Sequence, residues 1–321
     1  MKKAAIIWLV VGFLLVFTGV VVFITSLALA NGNFRAIFNS DYRTNTLDIK
    51  KSFSNIKVNA DTEDIVFSLA KDGKCKVTFF EEKSQKHTAK VIDNTLTIDS
   101  ENKKEWYDYI SLFSFDSKKI TVYLPESSYN SVLIMGSTGD INLQKDFTFG
   151  SIDIEESTGE VNCYSSATGA LNIKTGTGGI KVKDVSAKDV NLAVSTGRVE
   201  AKGITCGGKI NVIVSTGDAD IKDVSCSSFN SGGSTGDITL KNVICSEKMA
   251  VSRSTGDIAL KNSDAGEISL KTSTGDVTGT LLSEKVFIIK TSTGDVDVPE
   301  TVTGGKCKIT TSTGDITIKV K

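Results

Sequence analysis

Apolar residues follow three different rhythms along this chain, and each rhythm predicts a different element. From Ala4 to Ala30 they form a run without a single charge, preceded by Met1-Lys2-Lys3. About 20 such residues suffice to cross a bilayer as a helix. From Leu47 onward apolar and polar positions alternate with period two, the signal of a strand with one buried face. Leu47 to Ile49, Ile56 to Val58, Cys75 to Phe80, Thr95 to Ile98 and Ile120 to Leu124 read this way. From Ser137 onward the alternation is reset at regular intervals by a turn of the form Ser-Thr-Gly-Asp. Its glycines stand at Gly139, Gly159, Gly178, Gly197, Gly217, Gly236, Gly256, Gly275, Gly294 and Gly314, always 19 or 20 residues apart.

A fixed period of this size is the mark of stacked repeats. Two residues after each glycine come Ile141, Val161, Ile180, Val199, Ala219, Ile238, Ile258, Val277, Val296 and Ile316. Alternate residues of a strand share a face, so this column points inward. A second inward pair per repeat is represented by Val190 and Leu192, and a third segment by Val185, Ile204, Val224 and Val243. Three short sides per repeat predict an all-β fold: a right-handed, parallel, three-sided β-solenoid (β-helix) of about ten coils, with one N-terminal transmembrane helix. The hand follows from the preference of parallel crossovers. Each glycine marks a corner where a β-carbon is penalised, and the preceding Ser and Thr close the turn by local hydrogen bonds.

The chain divides into four parts. Residues 1–30 read as a cytoplasmic stub and signal-anchor, 31–46 as a polar linker, 47–136 as an N-terminal β region that caps the solenoid, and 137–321 as the repeats. Lysines before the apolar run place the N-terminus in the cytoplasm and the solenoid outside the cell. A cleaved signal peptide is the competing reading, because Ala28-Leu29-Ala30 has the form of a cleavage site. The run is longer than the roughly 7–15 apolar residues such a peptide uses, so an uncleaved anchor is expected.

Composition narrows the chemistry. A net charge of -1 gives no footprint for nucleic acid. The single histidine, His87, lies in the polar run Glu81 to Lys90 and reads as a solvated loop residue. Six cysteines on an exported chain invite a disulfide reading. However, Cys206, Cys226 and Cys245 recur at the repeat period, in a column that holds Ala187 and Ala265 elsewhere, and Cys163 and Cys307 fall in core columns. Free, buried thiols are expected. Trp106, Tyr107, Tyr109, Phe113 and Phe115 form an aromatic cluster suited to plugging the first coil.

The strand Ile120-Thr121-Val122-Tyr123-Leu124-Pro125, followed by serial Gly-Asp-Ile/Val turns, resembles the putative-adhesin family of bacterial surface domains of unknown function. The resemblance covers roughly residues 47 to 321. It implies a right-handed β-solenoid on a membrane anchor and a place among envelope-stress and membrane-stress proteins of Gram-positive bacteria. It carries no catalytic residues over.

The positions that could carry function form ladders. Asp218, Asp237, Asp257, Asp276, Asp295 and Asp315 each follow a repeat glycine. Stacking brings such carboxylates about 5 Å apart, where like charges repel by roughly 1 kcal/mol per pair. Backbone amides, neighbouring hydroxyls or a bound calcium ion are the candidates for offsetting this. Otherwise neither cofactor nor metal is expected. Lys183, Lys202, Lys222, Lys241 and Lys261 form a second ladder, and Asn172, Asn191, Asn211 and Asn230 a third that suits side-chain amide bonding.

The expected function is that of a non-enzymatic, membrane-anchored surface protein, an adhesin or envelope-stress-associated binding and sensing rod in the plasma membrane of a bacterium. Its expected partners are the membrane, through residues 4–30, and an envelope protein or glycan. End-to-end self-association is expected at the C-terminal edge, where the coil ending in Lys319 and Lys321 presents open strands. Three alternatives stand beside it. One is a polysaccharide-acting β-helix enzyme using a pair such as Asp237 and Asp257. Another is a calcium-dependent repeat protein. The third is a lattice-binding face built from the threonine pairs at Thr272, Thr291 and Thr311.

Overall fold

The computed structural model describes residues 2–29, 42–82, 86–101 and 118–321. Residues 2–29 are one helix, Lys2–Leu29. Most of the rest is a parallel β-solenoid of about ten turns. Like residues of successive turns sit directly opposite: Ile180 meets Val199, Val182 meets Ala201 and Val185 meets Ile204. The inward columns predicted from the period are the core. In the strand Asp189–Cys206 the buried residues are Val190, Leu192 and Val194, then Val199 and Ala201, then Ile204 and Cys206. Corners separate the three groups, so each coil has three sides. Burying one such side chain contributes about 1.5–3 kcal/mol, and ordering each residue costs about 1–2 kcal/mol in return.

Two corners have a chemical signature. The first is the glycine of Ser-Thr-Gly-Asp, at φ between 116° and 147° in the repeats. The second lies six residues on and is occupied by Asp184, Gly203, Asp223, Asn242 and Asn262, all at φ between 51° and 67°. Gly, Asn and Asp tolerate this left-handed conformation best. The sequence carries that second column as plainly as the first.

The stacking order departs from chain order at both ends. Near the N-terminus, the turn formed by Asn55–Asn59 and Asp64–Leu69 is enclosed: Ile56 lies between Leu96 and Val132, and Ile65 between Ile120 and Ile141. The strands Thr95–Glu101 and Lys119–Leu124 stack outside it. Near the C-terminus, the final turn, Gly305–Thr310 and Ile316–Val320, is also enclosed. Cys307 lies between Ile268 and Phe287, and Ile316 between Val277 and Val296. The expectation that the last coil presents an open edge is therefore corrected. The open strands are Lys285–Lys290 and Val296–Asp297, because the chain passes outward and then returns to fill the turn beneath them.

The N-terminal end is covered by antiparallel strands. Lys76–Glu82 pairs with Lys119–Leu124 on one side and with Tyr42–Asp48 on the other, and Lys86–Ile92 pairs with Thr95–Glu101. Glu81 to Lys90, read from its polarity as a loop, is therefore largely strand. Its polar residues satisfy a solvated face and, at two positions, a buried charge cluster. The aromatic run Trp106 to Phe115 lies outside the described residues. In the helix, the span Trp8–Leu29 has a mean hydropathy of 2.6 with none of it buried. It is long and apolar enough to cross a membrane, as an anchor or as a signal sequence.

Candidate functional site

All six predicted aspartates stand in one exposed column, in the stacking order Asp218, Asp237, Asp257, Asp276, Asp315, Asp295. One carboxylate oxygen of each of the first five accepts a hydrogen bond from the backbone N–H of the aspartate in the next turn, and Asp295 ends the column. The N···O distances are 3.1 Å from Asp237 to Asp218, 2.8 Å from Asp257 to Asp237 and 2.8 Å from Asp276 to Asp257. The column ends with 2.8 Å from Asp315 to Asp276 and 2.8 Å from Asp295 to Asp315. The same bond begins at the other end with Asp140 donating to Asp64 and Glu160 to Asp140. Of the candidates for offsetting the repulsion, the backbone amide is in place. Charge-assisted bonds of this kind are the strong ones. Among the described residues no group of three or more His, Cys, Asp or Glu is placed to hold a metal ion.

The glycine ladder explains why the corner admits no other residue. A β-carbon on Gly217 falls 1.7 Å from the carbonyl oxygen of Gly197, and its φ is 126°. Where the column lacks an aspartate, Arg198 substitutes a side-chain contact, its Nη2 lying 3.0 Å from Asp218 Oδ2. Lys183, Lys202, Lys222, Lys241 and Lys261 are in register on the outer face. The asparagine ladder forms amide bonds, with Asn191 donating to Asn172 and Asn230 to Asn211, both at 2.8 Å. Two of the threonines read as a lattice-binding row point the other way. Thr272 and Thr311 are buried, and their hydroxyls donate to Gly256 and Gly275 carbonyls at 3.0 and 3.2 Å. That row is corner chemistry.

Sequence reading missed a buried charge cluster in the N-terminal cap. His87 is 5% exposed and stacks on Phe79, with ring centroids 5.1 Å apart. Its Nδ1 lies 2.6 Å from Glu81 Oε2 and its Nε2 3.2 Å from Glu63 Oε1. Arg43 closes the group from the edge strand, 2.9 Å from Glu81 Oε1. Burial works against both charged forms. Even so, the two carboxylates hold the His87 imidazolium above its ordinary range. Burial also raises Glu63, but His87 and the amides of Asp61 and Thr62 outweigh it and bring the carboxyl down to about 2. The only local signal was a histidine among glutamates. Its partners come from three separate strands or turns.

Two further buried charges fill the corner three residues before the glycine. Glu156 lies over Gly136, and burial pushes its carboxyl up to about 7. Arg253 lies over Gly233, and its Nη1 donates to the Val214 carbonyl at 3.1 Å. The six cysteines are free and buried. Burial pushes Cys75, Cys163 and Cys307 up to about 12, so these thiols are poor nucleophiles and poor metal ligands at neutral pH. Near the N-terminal cap a cleft of about 610 Å³ has Phe53 and Tyr129 among its walls and Lys50, Lys51 and Lys74 beside them.

No curated protein compared matches the chain. Several solved structures are similar, three of which follow. A putative adhesin from Bacteroides fragilis is 20% identical over 87% of this chain and 97% of its own, with a TM-score of 0.42. A putative lipid binding protein from Parabacteroides distasonis is 14% identical over 85% and 96%, also at 0.42. A putative adhesin from the same species is 12% identical over 87% and 98%, again at 0.42. The Toastrack DUF4097 family matches residues 53–223 and 207–321. These two overlapping matches take in the solenoid from its first enclosed turn to its last, and the chain belongs to that family.

Proposed function

We propose that this chain is a non-enzymatic rod held at the cell surface by its N-terminal helix, and that it acts by binding through its exposed ladders and its free end. The observation that carries this reading is the pairing of two unlike parts. One is an apolar helix of which nothing is buried across Trp8–Leu29. The other is a solenoid whose inward columns are filled by its own side chains from Ile56 to Ile318. Trp8–Leu29 is long and apolar enough to cross a bilayer, where a helix satisfies its own backbone polar groups. The solenoid is rigid without a ligand, and what it offers outward is a regular surface of carboxylates, ammoniums and amides. The lysine pair ahead of the helix favours a cytoplasmic N-terminus, which puts the rod outside a bacterial plasma membrane. Membership of a family that the putative-adhesin resemblance anticipated agrees with this.

The test is fractionation followed by protease accessibility. The full chain is expected to stay with membranes through alkaline carbonate extraction. In intact cells stripped of their wall, external protease is expected to shave the solenoid. Release by carbonate, or protection of the solenoid in sealed cells that are degraded once opened, would refute the anchored rod.

A further inference from the structure

The two ends of the solenoid are finished differently. The N-terminal end is covered by antiparallel strands. At the other end the outer turn is paired on one side only, Lys285–Lys290 with Gly305–Thr310 and Val296–Asp297 with Ile316–Val320. Core positions come into solvent there. Val296 is 46% exposed, although Ile258, Val277 and Ile316 of the same column are fully buried. Open strands of this kind are templates for pairing, and proteins usually blunt them with charge or proline. Val296 is blunted by Asp295 and Asp297 on either side. Lys285–Lys290 carries charge only toward its ends: its outward positions are Glu284, Val286, Ile288 and Lys290, and the Glu284 carboxylate also accepts a hydrogen bond from the Thr303 hydroxyl of its own chain.

That pattern is complementary to itself. We infer that the strand Lys285–Lys290 pairs antiparallel with the same strand of a second copy of this chain, about a two-fold axis at Phe287, so that two solenoids join end to end. In this register Glu284 lies opposite Lys290 of the second copy, and Val286 opposite its Ile288, each pair occurring twice by symmetry. Cross-strand pairs of opposite charge and of β-branched residues are the favourable ones. The inward residues fit as well. Phe287 meets its own counterpart, and Lys285 is already neutralised by Asp264 at 2.6 Å. The contact is one coil in cross-section, about six residues or 20 Å along each side, and so falls below the size of a stable interface. It is weak for one pair and becomes effective when many copies face one another. Resting on the anchored-rod reading, the same geometry joins rods that rise from two apposed membranes.

The test uses the full chain reconstituted in vesicles, with flotation to read anchorage and turbidity to read clustering. Wild-type vesicles are expected to cluster. Glu284→Lys and Lys290→Glu each place like charges opposite one another twice, and each is expected to slow clustering at least tenfold. Vesicles carrying Glu284→Lys mixed with vesicles carrying Lys290→Glu restore both pairs and are expected to cluster again, as is the double variant. Circular dichroism melts of each variant separate loss of pairing from loss of fold. Clustering that survives either single reversal, or a mixture that stays dispersed, overturns the pairing. Wild-type chain that floats with vesicles but never clusters also overturns it and leaves the anchored rod standing. Chain that fails to float refutes the rod itself.

Discussion

Asp257 sits midway along the carboxylate ladder and tests whether that ladder is structural. Its carboxylate accepts the Asp276 amide at 2.8 Å. A hydrogen bond to a charged group is worth about 1.5–3 kcal/mol. Against it stand the carboxylates of Asp237 and Asp276, one turn away on either side. At about 5 Å in water each repels by roughly 0.8 kcal/mol. The net contribution of the carboxylate is then about 0–1.5 kcal/mol. An asparagine keeps an acceptor, worth about 1 kcal/mol, and drops both repulsions. An alanine keeps neither. At low salt Asp257→Asn is expected within about 1 kcal/mol of wild type, and both at or above Asp257→Ala. The two variants should differ by about 1 kcal/mol, which is roughly 2–4 °C in Tm for a chain of this size. Salt screens the repulsion but not the short bond, so the gap between Asn and Asp should close as salt is added. The assay is thermal melting followed by circular dichroism, at low and high salt, in calcium and in chelator. The structural account is refuted if Asp257→Asn melts with Asp257→Ala. It is refuted equally if calcium raises the wild-type Tm by several degrees and both variants lose that rise.

Four other outcomes follow from the geometry. Gly217→Ala forces a β-carbon to 1.7 Å from the Gly197 oxygen at φ 126° and should cost at least about 3 kcal/mol, whereas Gly207→Ala meets nothing within 4 Å and should be neutral or slightly stabilising in the same melts. The His87 cluster should give a stability maximum across pH. The raised His87 contributes fully below about 6.5 and is lost as pH rises through its folded value. The lowered Glu63 contributes above about 4.5 and is lost as pH falls toward 2. His87→Ala should cost about 3–5 kcal/mol by leaving two buried carboxylates without their shared cation, and a melt series showing no alkaline limb in wild type would refute this. A cysteine pair placed at Thr278 and Thr317, which lie opposite one another in adjacent turns, should crosslink readily, whereas a pair at Thr278 and Asp297, with the Thr317 turn between them, should not; the reverse result would refute the stacking order. Gly233→Val places a β-carbon 1.7 Å from Arg253 Nη1 and 2.1 Å from the Val214 carbonyl oxygen and should cost about 3 kcal/mol, while adding Arg253→Thr relieves only the first of these contacts and should recover part of the Tm.

What the sequence revealed depended on whether the signal was periodic. The column Ile180, Val199, Ala219, Ile238 repeats without interruption, so the inward face and the coil length were legible. The identity of the ladder aspartates was legible for the same reason, but their partner was not, since a backbone amide carries no side-chain signal. The second corner was available in Asp184, Gly203, Asp223, Asn242 and Asn262, a set whose common property is tolerance of positive φ rather than hydropathy. His87 was misread because Glu63 comes to it from a turn and Glu81 from the neighbouring strand. Locally it lies among charges that look solvated. The enclosed ends had no local signature at all. Residues 285–297 and 305–320 carry the same motif, and either fits on Val277 as far as pattern alone can decide.

Near-identical turns are well suited to stacking and poorly suited to choosing a neighbour. A shift by one whole repeat preserves every inward column and every ladder bond, so periodicity fixes the face but leaves the order open. The exceptions within the column three residues before the glycine restrict that order. Glu156 needs a turn without a β-carbon beneath it and has Gly136 there; Arg253 needs the same and has Gly233. At other turns the column holds Thr175, Val194, Val214 and Thr272, each of which carries a β-carbon where Gly136 and Gly233 carry none. Both charges are buried at a cost: the Glu156 carboxyl is pushed up to about 7, and the Arg253 guanidinium leaves Nε and Nη2 without a hydrogen-bond partner among the described residues. Stability alone favours an apolar residue at each place. A role in register accounts for their presence, since each favours the two glycine turns of the column, Gly136 and Gly233, over the others. It also accounts for their spacing, one key toward the N-terminal turns and one among the turns that lead to the open end.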